Sequence, residues 1–265
     1  MISASDVSSQ VRLDGRTVLI SGSGGGLGRA AAVCFAEAGA NVVVTARRAE
    51  PGRGTLDLIN AAGGTGIFAP MDVTNSDQVH AAVAMAVTTF GRLDIVLHNA
   101  NAGDESSRPL ALEELDDDAW HRQAGVAWDG AFHLAQASFA PLKASGNGRF
   151  LLFGSAFGLH GAAMNVSYSA YKGGDRGFVK ALAREWGPHG IAVNSITPSA
   201  ATEPTEAFFA QYPAVRDKYL SNFPMRRLGR PKEDVGSAIV ALCCQNMGYV
   251  TGQTFVVDGG LYTAI

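Results

Sequence analysis

Thr17-Val18-Leu19-Ile20 runs without a break into Ser21-Gly22-Ser23-Gly24-Gly25-Gly26-Leu27-Gly28, and that turn runs into Arg29-Ala30-Ala31-Ala32-Val33-Cys34-Phe35-Ala36-Glu37-Ala38. The first segment is apolar and β-branched, as a buried strand requires. The last has the alanine-rich composition of a helix and ends at Gly39, a residue suited to the position just past a helix C-terminus. Strand, glycine turn and helix in this order form the context in which a glycine fingerprint signifies nucleotide binding. Gly22, Gly26 and Gly28 let the backbone turn tightly and approach a pyrophosphate, whose charge is favoured at the positive end of the helix. A flexible glycine linker would lack the apolar strand and helix on either side.

Working outward, β-rich segments near 17–21, 41–46, 66–71, 94–99, 149–154, 191–196 and 254–258 alternate with helical ones. Parallel strands need such crossovers, and near-continuous apolar runs such as Val42-Val43-Val44 suit a sheet covered on both faces. The expected fold is α/β, a single-domain Rossmann-type doubly wound parallel sheet of about seven strands. Residues 1–12 read as a loose tail and 13–265 as one domain. The 265 residues are 47% apolar and 17% charged with a net charge of −3, which fits one soluble globular unit. No basic run marks a nucleic-acid or membrane partner, and no apolar run approaches a membrane span, so the cytoplasm is the expected location. Cys34, Cys243 and Cys244 lie in apolar helical stretches, an odd set that suggests core thiols rather than disulfides or a metal site.

Two further features concern chemistry. Tyr168 and Lys172 stand four residues apart, thirteen positions after Ser155, which puts a phenol beside an ammonium on one helix face. A fixed cation favours phenolate over phenol and suggests acid–base work, although such a pair by itself also suits an exposed polar edge. After the second strand, Val44-Thr45-Ala46-Arg47-Arg48 offers no acid for a ribose 2′-hydroxyl, whereas Arg47 or Arg48 can clamp a 2′-phosphate. NADP(H) is therefore favoured over NAD(H); the other reading of the two arginines is that of solvated loop cations.

The glycine turn, Asp94-Ile95-Val96-Leu97-His98-Asn99-Ala100, Ser155, Tyr168-x-x-x-Lys172, Asn194-Ser195-Ile196-x-Pro198 and the run from Tyr249 to Gly260 together resemble, in order and spacing, the short-chain dehydrogenase/reductase family, from about residue 14 to 262. The resemblance implies an oxidoreductase interconverting a ketone and a secondary alcohol. Tyr168 would be the general acid or base, Lys172 would tune it and bind the nicotinamide ribose, and Ser155 would donate to the substrate oxygen. It also implies nucleotide contacts at Gly22, Ser23, Gly26, Leu27, Gly28, Arg47, Arg48, Asp72, Val73, Asn99, Tyr168, Lys172, Pro198 and Ala201. No metal is expected. A homotetramer or dimer is implied, with Trp120, Trp128, Phe132, Phe255 and Tyr262 serving either that contact or the internal core.

Three departures from the family pattern stand out. Ala127-Trp128-Asp129-Gly130 matches a stretch where relatives carry an Asn that holds water near the lysine. Asn101 stands where Gly is usual, tolerable because Asn accepts left-handed backbone, and Pro198-Ser199 replaces Pro-Gly. His98 reads as a hydrogen-bonded strand-end imidazole rather than a catalyst. Segment 199–228 is expected to form a mobile helical lid whose Phe208, Phe209, Tyr212, Tyr219, Phe223 and Met225 either wall an apolar substrate or pack on the body. With Phe157, His160, Met164 and Asn165 nearby, a medium-sized, largely apolar small-molecule substrate is expected. A 3-oxoacyl-carrier-protein-type reductase remains an alternative, with Arg184 matching one of two docking arginines and Gly146 standing at the other. A dinucleotide-binding sensor without turnover is a second. For sugar-nucleotide epimerisation the chain is too short.

Overall fold

The computed structural model describes residues 11–103 and 109–263, apart from the side chains of Pro204 and Phe208. The expected tail thus lies largely outside the described residues. Seven strands, β1 (Thr17–Ser21), β2 (Asn41–Ala46), β3 (Thr65–Pro70), β4 (Ile95–His98), β5 (Gly148–Phe153), β6 (Ile191–Pro198) and β7 (Thr254–Val257), form one sheet in the order β3-β2-β1-β4-β5-β6-β7. Every pairing is parallel.

Side chains alternate across the sheet with period two, and the core divides accordingly. Val18, Ile20, Val42, Val44, Ile95 and Leu97 face one layer, formed by helices α1 (Gly26–Glu37), α2 (Ala49–Ala61) and the late helix Ser237–Cys243. Leu19, Val43, Val96, Phe150 and Leu152 face the other, formed by α3 (Ser76–Phe90) and two long helices described below. Each fully buried Val, Leu or Ile contributes roughly 1.5–3 kcal/mol. This two-sided burial explains why the strands read as continuous apolar runs.

The second layer's long helix is interrupted. α4 (Asp117–Ala124) passes through a π turn, Gly125–Asp129, into α5 (Gly130–Ala144). After β5 come the short α6 (Phe157–His160) and the 21-residue α7 (Val166–Trp186). After β6, α8 (Glu203–Gln211) and α9 (Pro213–Leu220) form an excursion that returns at Gly229. There the Ala201 amide donates to Gly229 O at 2.9 Å and the Gly229 amide to Ser199 O at 2.9 Å, closing the base of the excursion.

The two ends of the sheet differ in kind. At the amino end, buried Arg149 donates to Asn147 and Cys244 carbonyls and Arg16 to the Cys243 and Asn147 carbonyls, fastening the last helix beneath the sheet. The three cysteines are free and buried there and on α1, and burial pushes the Cys243 thiol up to about 12. At the carboxyl end the chain leaves the paired neighbours β1 and β4 toward opposite sides of the sheet, and a crevice opens where the winding reverses.

Candidate active site

The crevice is built by the turn after β1. Gly22 adopts φ +65°, and a Cβ on it would lie 2.8 Å from Ala100 Cα, so only glycine passes β4 here. At Gly28 a Cβ would fall 2.5 Å from the Asn99 side chain and 2.6 Å from Gly22 O. The missing side chain at 28 thus seats α1 against the turn, and Gly26, with φ +52° and no neighbour, leaves its backbone open to the crevice. Asn99 braces the same turn, its amide Nδ2 donating to Ser21 O at 3.1 Å and Gly22 O at 2.9 Å.

Gly22, Gly26, Leu27, Arg47, Arg48, Asp72, Val73 and Asn99 all line this crevice of about 540 Å³. Of the residues expected at the nucleotide, Tyr168, Lys172 and Pro198 lie outside this crevice and are described below, and Ser23, Gly28 and Ala201 do not line it either. Ser23 is fully buried, its amide donating to Thr45 O at 2.9 Å and its hydroxyl to Ile20 O at 3.0 Å, so its polar groups hold the fold. Gly28 acts through close packing. Ala201 is committed to the base of the excursion, and its neighbour Thr202 lines the crevice instead, a residue that spacing alone does not distinguish. Arg47 and Arg48 are exposed, and among the described residues neither guanidinium has a hydrogen-bond partner. A glycine cradle at a helix N-terminus with two uncommitted cations beside it fits a dinucleotide that carries phosphates.

Asn101 does not take the left-handed conformation it was expected to tolerate. The positive φ, +70°, falls on Gly103, whose amide donates to Asn101 Oδ1 at 2.9 Å. His98 matches its expectation as a strand-end imidazole held by hydrogen bonds. Ser21 Oγ accepts from the Asn99 and Ala100 amides at 3.0 and 3.1 Å, so its own hydrogen goes to His98 Nδ1, 2.9 Å away. Nε2 then carries the proton and reaches Ala127 O at 3.3 Å in the π turn. Burial, reinforced by the Lys172 charge, lowers this imidazole to about 4, so it is neutral.

Beside the crevice is a second hollow of about 400 Å³. Ser155, from the turn after β5, and Tyr168, from the first turn of α7, both line it, together with Pro198. Ser155 Oγ accepts from the Phe157 amide at 3.2 Å, which fixes the turn. Phe157 packs edge-on against Tyr168 with ring centroids 6.0 Å apart. Lys172 lies behind, its ammonium donating to Phe153 O at 2.5 Å and to Asp175 Oδ2 at 3.1 Å. Asp175 was not legible as a site residue. Burial alone would lower the Lys172 value, but the charge interactions with Asp175 and Tyr168 and the hydrogen bond to Asp175 outweigh it and hold Lys172 above its ordinary range.

The aromatic residues separate into two groups. Phe209 and Tyr219 of the excursion line the hollow, while Phe223 is fully buried and Met225 is exposed. Phe208's side chain lies outside the described residues. Tyr262, grouped by sequence with subunit-contact or core candidates, lines the hollow and stacks on His160 at 4.5 Å. Phe255 packs on the core, and Trp128 and Phe132 are 41% and 52% exposed. Among the described residues, no cluster of His, Cys, Asp or Glu is arranged to hold a metal, and no helix is long and apolar enough to cross a membrane.

The model of a family described as enoyl-(acyl carrier protein) reductase matches residues 22–262. A 12alpha-hydroxysteroid dehydrogenase of a Clostridium species is 33% identical over 258 residues, covering 94% of this chain and 97% of that protein. Two solved structures are similar throughout. A 7 alpha-hydroxysteroid dehydrogenase complexed with NADH and 7-oxo glycochenodeoxycholic acid has a TM-score of 0.88 at 30% identity, covering 96% of each chain. A gluconate 5-dehydrogenase from Burkholderia cenocepacia in complex with NADP and tartrate also has a TM-score of 0.88 at 30% identity, covering 98% of this chain and all of that one. With the parallel sheet, the glycine crevice and this likeness over nearly the full length, the chain belongs to the short-chain dehydrogenase/reductase family, as an NAD(P)-dependent alcohol dehydrogenase or ketoreductase.

Proposed function

We propose that the protein interconverts a ketone and a secondary alcohol on a medium-sized, largely apolar substrate, with NADP(H) preferred and Tyr168 as general acid and base. The observation that carries this reading is the shared hollow: Ser155 and Tyr168 line it together with the aromatic side chains of Phe157, Phe209, Tyr219 and Tyr262. Apolar walls with a few convergent polar groups are the usual form of a small-molecule site.

When bound, a nicotinamide dinucleotide supplies the hydride donor or acceptor. The protein's residues do the rest. In reduction, Tyr168 gives its hydroxyl proton to the oxygen that gains charge as the carbon takes up hydride, and Ser155 donates a hydrogen bond to that oxygen. In oxidation, Tyr168 as phenolate removes the proton. Lys172 lies one turn from Tyr168 on α7 and within electrostatic range of it. Two of its three N–H groups are taken by Phe153 O and Asp175, which leaves one for a ribose hydroxyl. The crevice would hold the pyrophosphate at Gly22, Gly26 and Leu27, with Asp72 and Val73 at the adenine and Arg47 and Arg48 at a 2′-phosphate.

The excursion from 199 to 228 is read as the lid over this hollow, hinged where Ala201 and Gly229 pair. Assembly into a dimer or tetramer is expected through the exposed Trp128 and Phe132. The carrier-protein alternative gains little, because Gly146 occupies a left-handed turn, φ +73°, at the position sought for the second arginine. Steady-state absorbance at the reduced-nicotinamide band against a graded panel of ketones tests the main reading. A sensor would bind NADPH and never oxidise it across the panel.

Cofactor choice has its own test. Each charge-assisted hydrogen bond from a guanidinium is worth about 1.5–3 kcal/mol. The double variant Arg47→Ala/Arg48→Ala is therefore expected to weaken NADPH binding by about tenfold or more while changing NADH binding less than twofold. Equal loss for both nucleotides, or a wild-type preference for NADH, would overturn the assignment of these arginines.

A further inference from the structure

Behind the proposed phenol lies a buried pair of opposite charges. Asp175 follows Lys172 by three residues on α7, its carboxylate oxygen is 3.1 Å from Nζ, and the two side chains are 3% and 9% exposed. Burying two ions is costly, and an apolar pair of similar volume usually serves the fold as well or better. A chain that keeps such a pair one turn from its acid–base residue has a use for the charge.

The surroundings show what that charge does. The ammonium lies within electrostatic range of Tyr168, one turn earlier on α7, and of His98, a neutral imidazole on β4; among the described residues β5 offers it the Phe153 carbonyl. From the π turn, Trp128 and Asp129 share with Asp175 the hollow between α5 and α7, and Trp128 Nε1 donates to Tyr171 O at 3.3 Å. Among the described residues, Asp175 is the one carboxylate that bonds the ammonium. Ala127, buried in the π turn, presents no polar side chain to it.

We propose that Asp175 is a positioning residue of the active site: its carboxylate keeps the Lys172 ammonium charged and aimed at Tyr168 well into the alkaline range. This rests on the reading of Tyr168 and Lys172 as the proton-handling pair. The sign follows from the site. Burial disfavours the ammonium, Asp175 opposes that effect, and Lys172 stands above its ordinary range as a result. Burial also pushes Asp175 up, against the pull of Lys172. With the carboxylate made neutral, the desolvation of the ammonium is uncompensated and Lys172 loses its proton at lower pH.

The experiment is the pH profile of kcat for alcohol oxidation, the direction in which Tyr168 works as phenolate. The wild type is expected to hold its plateau through the ordinary lysine range, about pH 10, because Lys172 stands above that range. In Asp175→Asn the alkaline fall moves down by about one pH unit or more, a tenfold loss at the upper end, while KM for the alcohol changes less than twofold. Asp175→Ser, smaller and also neutral, should do the same, and Asp175→Glu should restore most of the plateau. A folded Asp175→Asn whose kcat drops by the same factor at every pH would overturn the proposal. So would failure of both neutral variants to fold alongside an Asp175→Glu protein with the wild-type profile, because the charge would then serve the fold alone. Tyr168→Phe separates the two levels. If it keeps turnover, the reading beneath this proposal fails; if it is inactive and the alkaline limb of Asp175→Asn has not moved, only the role of Asp175 fails.

Discussion

Tyr168→Phe is expected to lose turnover by roughly 10²–10⁴-fold, the range contributed by a positioned acid or base, while nucleotide affinity stays within about twofold. The variant is clean for a structural reason. The Tyr168 ring sits edge-on to Phe157 and to Tyr171, each with centroids 6.0 Å apart, and phenylalanine keeps both contacts. Among the described residues no hydrogen bond to the protein engages the hydroxyl, so its removal orphans no partner. The glycine crevice is formed by other elements, the β1 turn and the segment after β4, and should bind the cofactor as before. Loss of activity with intact binding would therefore be a loss of chemistry. Thermal unfolding within about 1–2 °C of the wild type, together with fluorescence titration of NADPH, would establish that. Retained turnover in a folded Tyr168→Phe protein would remove Tyr168 from the mechanism.

What could be read from the sequence follows how local the determinants are. The strand, turn and helix at 17–38 depend on neighbours within a few residues, and the seven strands fall within one or two residues of expectation, with β3 at 65–70 for an expected 66–71. Tyr168 and Lys172 share a helix, so their spacing alone places them together. Side-chain direction at Ser23 was not legible, because whether a turn serine faces a ligand or accepts from the Thr45 amide, as it does here at 3.0 Å, depends on how β2 lies beside it. Nor was the role of Tyr262, which reaches the hollow only because the chain after β7 folds back toward α6. Asp175 was missed for a different reason. An aspartate three residues after a lysine on a helix is ordinarily an exposed pair worth a few tenths of a kcal/mol, and only burial gives it weight.

Acid should loosen the cofactor crevice through His98. The imidazole titrates near 6.5 when unfolded and is lowered to about 4 in the folded protein, first by burial and then by the Lys172 charge. Between those values the unfolded chain binds more protons than the folded one, so stability rises with pH across the window. The contribution is fully present above about pH 6.5 and is lost as pH falls toward 4, a total of about 3 kcal/mol at 1.36 kcal/mol per unit. The geometry agrees with the sign. A proton on Nδ1 would confront the Ser21 hydroxyl hydrogen, and Ser21 Oγ cannot turn away freely because it already accepts from the Asn99 and Ala100 amides. Those amides lie beside the Gly22 turn, so the strain of protonation falls on the crevice itself. Denaturant midpoints measured from pH 8 to 4 should show a steep acid decline for the wild type. His98→Asn, which has no proton to gain, should start less stable and decline by about 3 kcal/mol less over the same range. NADPH affinity should fall over the same window in the wild type and hold steadier in the variant. Parallel declines for the two proteins would mean that the acid sensitivity resides in carboxylates elsewhere and that His98 remains satisfied when charged.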